Sequence, residues 1–103
     1  MSSIELMDAA ALMRQRARAA NTEDSRRPYG DARIPPVPES GWGAMVNNYL
    51  GGPVGAHCAA MTPAVALAVA DWLDRMAEPR AEGPRGPAIA VARAYLAGEP
   101  GRG

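Results

Sequence analysis

The chain has 103 residues, with 11 basic side chains balanced by 11 acidic ones, and a formal net charge of zero. The whole chain therefore has no electrostatic attraction to nucleic acid or to anionic lipid, and either partner would need a local basic patch. Cys58 is the only cysteine, which excludes an intramolecular disulfide, and with the single His57 it cannot fill a four-ligand zinc shell. The length favours a single domain over residues 1–103.

The hydrophobic fraction of 48% consists largely of alanine. The sequence has 22 alanines but only 15 leucines, isoleucines and valines together, and no phenylalanine. The core must therefore depend on a few large side chains. No secretory signal pattern and no long apolar run is visible, so we expect a cytoplasmic protein.

A first helix is predicted over residues 3–20. Ser2 and Glu5 match the S-x-x-E pattern, in which two side chains satisfy each other's free backbone donors at a helix start. Apolar residues then recur at helical spacing: Leu6, Ala9, Ala10, Met13, Ala17 and Ala20. This pattern is typical of an amphipathic helix with a narrow, alanine-rich buried face.

Residues 21–41 show no regular apolar period and are predicted to be a linker or a long surface loop. Their prolines fix φ and lack backbone donors, so residues 34–38 are predicted to form a short polyproline II stretch. Alternating apolar side chains over 42–50 favour a short strand, and the glycines and proline of 51–55 favour a turn. Together they allow a short β-hairpin between residues 42 and 55.

The clearest helical signal covers residues 62–78. Thr62 is a favourable N-cap, Pro63 suits the first helical position, and Pro79 ends the pattern. Large apolar side chains recur along one face: Val65, Val69, Trp72, Leu73 and Met76. Nearly every side chain from 63 to 70 is apolar, which indicates a central helix or an interface helix.

A third helix is predicted over residues 87–97, beginning at Pro87 and followed by Gly98 as a C-terminal cap. The tail at 99–103 is expected to fray. The sequence thus predicts a mainly α fold, a small three-helix domain in which the second helix packs against the first and third. The short β-hairpin would lie between helices one and two.

His57 and Cys58 are the pair whose residue types best suit catalysis, because a nucleophilic cysteine needs a base beside it. Adjacent side chains diverge in both helices and strands, so this imidazole is badly placed to take the thiol's proton. No ligand repeat indicates a metal site, and residues 51–55 lack the ending of a phosphate-binding loop. We expect no enzymatic activity and no cofactor; a small enzyme using Cys58 and His57 is the alternative.

Arg14 and Arg18 share one face of the first predicted helix and could contact phosphates. A nucleic-acid-binding regulatory protein is therefore a further alternative. The second predicted helix, however, is apolar and acidic, unlike a helix that reads DNA bases. The pattern favours a solvated helix face over a nucleic-acid partner.

Apolar surface left over once a small core is filled typically marks association. We predict a protein interface on the second predicted helix, formed by Leu67, Trp72 and Met76. The expected partner is a host protein or a second copy of the chain in a homo-oligomer, with no membrane involved. Packing of these side chains in the core of a helical monomer is the alternative.

Three segments carry a resemblance to known proteins: DAAALMRQRARAA at 8–20, HCAAMTPAVALAVADWL at 57–73 and VARAYL at 91–96. In these segments, about half of the chain, it resembles small uncharacterised proteins of actinobacteria and their phages, and it is similar to Ead/Ea22-like phage proteins. Those relatives usually continue after the first helix with Thr-Pro-Gly-Pro-Trp, where this chain has Asn-Thr-Glu-Asp at 21–24. The resemblance implies an accessory protein of phage or prophage origin and supplies no known active site.

Overall fold

A computed structural model describes residues 2–81, 83 and 85–98, and this part of the chain is mainly helical and contains no strand. Its α-helices are α1 (Ser2–Ala20), α2 (Trp42–Leu50), α3 (Gly52–Ala60), α4 (Pro63–Ala77) and α5 (Arg85–Ala97). Two short 3-10 turns, Pro28–Gly30 and Glu39–Gly41, lie between α1 and α2. The prediction of a mainly α fold is confirmed.

The β-hairpin predicted between residues 42 and 55 is absent, because these residues form α2 and the start of α3. Apolar side chains also recur here at the i, i+3, i+4, i+7 spacing of a helix: Trp42, Met45, Val46 and Tyr49. Gly51 ends α2 with a φ of 66°, which glycine adopts readily, and Pro53 lies in the first turn of α3, where a missing N–H is tolerated. The described residues therefore form five α-helices rather than three.

The helices predicted over 3–20, 62–78 and 87–97 correspond to α1, α4 and α5. At the start of α4 the hydroxyl oxygen of Thr62 accepts a hydrogen bond from the N–H of Val65 at 3.3 Å, as expected of an N-cap. The predicted frayed tail at 99–103 lies outside the described residues.

Glu5, predicted to cap α1 together with Ser2, binds a different partner. Its carboxylate accepts hydrogen bonds from Nε and NH2 of Arg93 on α5, at 2.7 and 3.0 Å. These bonds hold the pKa of Glu5 below its ordinary value. The carboxylate thus joins two helices that are distant in the sequence.

The chain divides into two compact units. Unit one contains Met1–Arg14 and Leu67–Gly103, and unit two contains Gln15–Ala66. Helices α1 and α4 each contribute residues to both units. A single domain over residues 1–103 remains a prediction.

Alanine predominates in the core of unit one. One buried cluster draws on α1, α4 and α5: Leu6, Ala9, Ala10, Met13, Ala70, Leu73, Met76, Ala77, Ala88, Ala92 and Leu96. Leu6 and Leu73 are its largest fully buried side chains. Because a buried alanine fills little volume, these helices must approach closely to exclude water.

Polar contacts also join α1 to α4 in unit one. NH2 of Arg14 lies 2.9 Å from Oδ1 of Asp71, and NH1 lies 2.5 Å from Oδ2 of Asp74. The hydrogen bond with Asp71, followed by that with Asp74, raises the pKa of the Arg14 guanidinium. Farther toward the start of α1, the hydroxyl of Ser3 donates to the carbonyl of Ala77 at 3.2 Å.

In unit two, α2 and α3 form a helical hairpin joined by Gly51 alone. A Cβ at Gly55 would lie 2.7 Å from Oδ1 of Asn47 and 3.3 Å from its carbonyl oxygen. A Cβ at Gly43 would lie 3.0 Å from the carbonyl oxygen of Ala59. The glycines on both helices thus let the two backbones pack directly against each other.

Enlarging a buried alanine should destabilise unit one. Ala92 is fully buried, so Ala92→Leu should lower the free energy of unfolding by about 1–3 kcal/mol through overpacking. Ala94 is exposed on the same helix, and Ala94→Leu should change it by no more than about 0.5 kcal/mol. Urea denaturation of both variants measures the difference, and equal stability would contradict a close-packed alanine core.

A matched pair of glycine substitutions tests the contact between α2 and α3. Gly55→Leu should cost about 1–3 kcal/mol, because the new side chain would meet the backbone and side chain of Asn47. Gly86 on α5 has open space around its Cβ position, but the residue that follows it is Pro87. Gly86→Leu should therefore change the free energy of unfolding by no more than about 1 kcal/mol, because a gain in helix propensity is offset by the clash of the new Cβ with the proline ring. Thermal or urea unfolding measures the stability of both variants, and a stabilising Gly55→Leu would refute the close approach of α2 and α3.

Candidate binding groove

Two arginine side chains of the segment between α1 and α2 donate hydrogen bonds to backbone carbonyls of the same segment, and these bonds hold it in a folded conformation. Nε of Arg26 donates to the carbonyl of Val37 at 3.0 Å, and its NH1 donates to the carbonyl of Asn21 at 2.7 Å. The N–H of Val37 donates back to the carbonyl of Arg26 at 2.9 Å. NH1 of Arg27 donates to the carbonyl of Ile34 at 3.0 Å. The predicted linker is therefore a surface loop with its own hydrogen-bond network.

Side chains of this loop and of α2 cap the C-terminal end of α1 with hydrogen bonds. Nε1 of Trp42 donates to the carbonyl of Ala20 at 3.1 Å. The hydroxyls of Ser25 and Thr22 donate to the carbonyl of Ala19 at 2.6 and 3.4 Å. These bonds satisfy carbonyls that a helix end leaves unpaired, and the Trp42 bond fixes the start of α2 beside the loop.

Between the loop and α2 lies a cavity of about 280 Å³, called here the tyrosine groove. Its lining residues come from separate stretches of the chain: Pro28, Tyr29, Val37, Pro38, Gly41, Ala44, Met45, Asn48 and Tyr49. The lining is apolar or aromatic apart from the Asn48 amide and the tyrosine hydroxyls. Pro38 has φ −64° and ψ 161°, which are polyproline II values.

Tyr29 stands at the rim of the tyrosine groove with 81% of its surface exposed. It is the one non-glycine residue of the described part of the chain with a positive φ, 58°. Its N–H donates to the hydroxyl of Tyr49, and the two rings meet edge to face with centroids 5.3 Å apart. Such a conformation is costly for a bulky residue, and strained residues concentrate at functional sites.

The charges of the loop are paired with one another. Arg33 lies 3.0 Å from Asp31, and Arg27 lies 3.2 Å from Asp24. The hydrogen bonds from Arg33, first from its side chain and then from its backbone, hold the pKa of Asp31 below its ordinary value. The loop therefore presents local ion pairs rather than an excess of one charge.

The side chains that line the tyrosine groove include no carboxylate, imidazole, thiol or amine. They can bury apolar surface and can offer hydrogen bonds from an amide and from phenolic hydroxyls. The groove's volume of about 280 Å³ is slightly below the roughly 300–1,000 Å³ of typical small-molecule sites.

An uncharged stretch adjoins and partly lines the groove. Residues 40–70 contain no Asp, Glu, Lys or Arg. At the chain's 21% of charged residues, a segment of this length would carry about six. Among the described residues, no single helix has the length and apolar character needed to cross a membrane. Helices α3 and α4, taken together as a bent pair, have that length and composition.

The turn between α2 and α3, residues 49–54, projects from the helical hairpin and is called here the hairpin tip. All six residues are exposed, and a Cβ on Gly51 or Gly52 would meet nothing within 4 Å. Its large apolar side chains Tyr49, Leu50 and Val54 keep 49%, 54% and 64% of their surface exposed. Tyr49 belongs both to the hairpin tip and to the tyrosine groove.

His57 and Cys58 lie on α3, with His57 exposed and Cys58 partly buried. In the part of the chain that the structure describes, no group of three or more His, Cys, Asp and Glu side chains could hold a metal ion. The hydrogen bonds and ion pairs seen there join neither side chain to an acid or a base. The fold therefore adds no support to the predicted catalytic alternative.

Arg14 and Arg18, the two arginines predicted to contact phosphates if the chain binds nucleic acid, differ in their surroundings. Arg14 is held by Asp71 and Asp74, which offset its charge, and its side chain is only 25% exposed. Arg18 is exposed on α1. A phosphate would have to compete with two carboxylates for Arg14, which weakens the predicted pair as a phosphate site.

The three predicted interface residues on α4 differ in how much of their surface is exposed. Met76 does not lie on the surface: it is 6% exposed in the core of unit one, because the alanine-rich cluster needs its volume. Trp72 keeps 37% of its surface exposed, and Leu67 is partly buried. An interface through Leu67 and Trp72 remains a prediction.

The tyrosine groove was not predicted from the sequence. The available signal was compositional, since Tyr29 and Tyr49 flank a proline-rich stretch over 34–38. Nothing local indicated that the loop would fold back on residues 42–50, because that depends on the bonds made by Arg26 and Trp42.

Comparisons with protein-family models, with curated proteins and with solved structures found no match for this chain.

The loop network gives a direct prediction. Arg26→Ala should raise the exchange rate of the Val37 amide about 10- to 100-fold, because the loop loses hydrogen bonds made by a charged donor. Arg33 is 90% exposed and contacts only Asp31 among the loop's ion pairs, so Arg33→Ala should leave that rate unchanged. Amide hydrogen exchange measures both, and equal rates in the two variants would show that Arg26 does not hold the loop.

Proposed function

We propose that this chain is a non-enzymatic binding protein whose tyrosine groove receives an apolar or aromatic side chain of a protein partner. The observation that carries the proposal is Tyr29, a strained and largely exposed aromatic residue at the rim of an apolar groove. Burial of such a ring on binding contributes about 25 cal/mol per Å² of apolar area. Tyrosine is also among the residues that most often dominate interface energies.

A protein partner explains the surroundings of the groove better than a small molecule does. The groove is small, but it continues into the uncharged, exposed hairpin tip, because Tyr49 belongs to both. A small ligand would use the groove and leave the tip exposed. A protein surface would cover both, and depletion of charge is typical of the centre of a protein interface.

The proposed origin of the protein, its location and its partner are supported by the sequence. The three segments that resemble actinobacterial and phage proteins support an accessory protein of phage or prophage origin, acting in the cytoplasm on a host protein or on a second copy of itself. Leu67 and the partly exposed Trp72 of unit one are a second, separate candidate surface for such a partner.

Site-specific photo-crosslinking in the native cell tests the proposal. A benzophenone amino acid at Tyr29 should form a covalent adduct with a protein, whereas the same group at Met7, which is 57% exposed in unit one, should not. Ala44→Glu places a charge in the groove and should abolish the Tyr29 adduct. Mass spectrometry of the adduct identifies the captured chain.

A third labelled position, Trp72, separates the two candidate surfaces. An adduct at Tyr29 that disappears with Ala44→Glu supports the groove. Adducts at Trp72 alone would move the binding surface to α4, and the absence of any protein adduct at Tyr29 would refute the proposed function.

A further inference from the structure

We infer that the occupant of the tyrosine groove is the hairpin tip of a second copy of this chain, and this inference rests on the proposed binding function. In the resulting pair, Leu50 and Val54 of each copy enter the groove of the other copy, beside its Tyr29 and Ala44. Three properties of these surfaces favour a second copy: their charge, their area and their arrangement.

Charge is the first step. The groove lining and the hairpin tip both lack charged side chains. Two such surfaces can be buried against each other without desolvating an ion and without like-charge repulsion. A partner with a strongly charged surface would find no complementary charge here, whereas a second copy offers a matching uncharged surface.

Area is the second step. From their exposed fractions, Tyr29, Tyr49, Leu50 and Val54 leave on the order of 500 Å² of surface accessible. A patch of this size lies within the 300–600 Å² that is typical of the largest, often functional, apolar patch on a monomer. It falls below the roughly 800 Å² that each partner contributes to a standard interface, so the pair should be weak and concentration-dependent.

The arrangement of the two surfaces is the third step. The hairpin tip is exposed, and a Cβ on Gly51 or Gly52 would meet no atom within 4 Å, whereas the tyrosine groove is a cavity. Because Tyr49 belongs to both, a two-fold axis passing near it would bring each tip over the other groove. A two-fold pair uses the same patch on both copies and closes without leaving a further site open.

The test is a set of charge substitutions that suit their helix positions. Ala44 lies in the first turn of α2 and Leu50 is its last residue, so Ala44→Glu and Leu50→Arg both agree with the helix dipole, and both residues are exposed. Circular dichroism and unfolding confirm that each variant is folded. Sedimentation equilibrium over about 5 µM to 1 mM then measures association, a range chosen for a weak interface.

The wild-type chain should dimerise, and each single variant should dimerise at least about 10-fold more weakly. An equimolar mixture of the Ala44→Glu and Leu50→Arg chains should recover dimers, because one tip–groove contact is then native and the other pairs Arg with Glu. Met7→Arg, a matched change at an exposed residue of unit one, should dimerise like the wild type.

A wild-type chain that stays monomeric throughout would overturn the inference, as would dimers unaffected by both substitutions or a mixture that shows no recovery. These failures are separate from failure of the proposed function. A monomeric chain that still crosslinks another protein at Tyr29 would retain the binding groove and lose only the second copy as its occupant.

Discussion

The structure depends on the close approach of helices that have few large side chains. In unit one this approach is made by alanines around Leu6 and Leu73, and in unit two by Gly43 and Gly55 at the contact between α2 and α3. Small residues permit contact but bury little apolar area. Hydrogen bonds made by arginine add specific contacts to this packing, from Arg14 between helices and from Arg26 within the loop.

The distribution of charge follows from the same constraint. The ionic side chains are used in local and interhelical pairs, such as Glu5 with Arg93 and Asp31 with Arg33, while residues 40–70 carry none. The helical hairpin carries no charged side chain, and Gly55 is the only buried residue of α3, so the hairpin exposes apolar side chains. The hairpin tip and one wall of the tyrosine groove belong to this surface.

Sequence patterns located α1, α4 and α5 because each is long and periodic, and because Thr62 and Pro63 mark the start of α4. They were wrong over 42–55, where the alternation of Trp42, Ala44 and Val46 competes with an equally valid helical spacing, and only tertiary packing decides between them. The groove was hidden for a related reason: the positive φ of Tyr29 and the return of the loop onto α2 depend on contacts between distant residues. For Met76 the sequence left both an interface and a core position open, because it does not show how much volume an alanine-rich core still requires.

The central claim is that the uncharged surface of unit two associates through the groove and the tip. Amide chemical shifts of the wild-type chain, recorded by NMR over a dilution series, test it most directly. The account predicts concentration-dependent shifts at Tyr29, Ala44 and residues 49–54, with Met7 and Val91 of unit one unchanged. Shifts confined to unit one, around Trp72, would contradict the account, as would spectra that do not change with concentration.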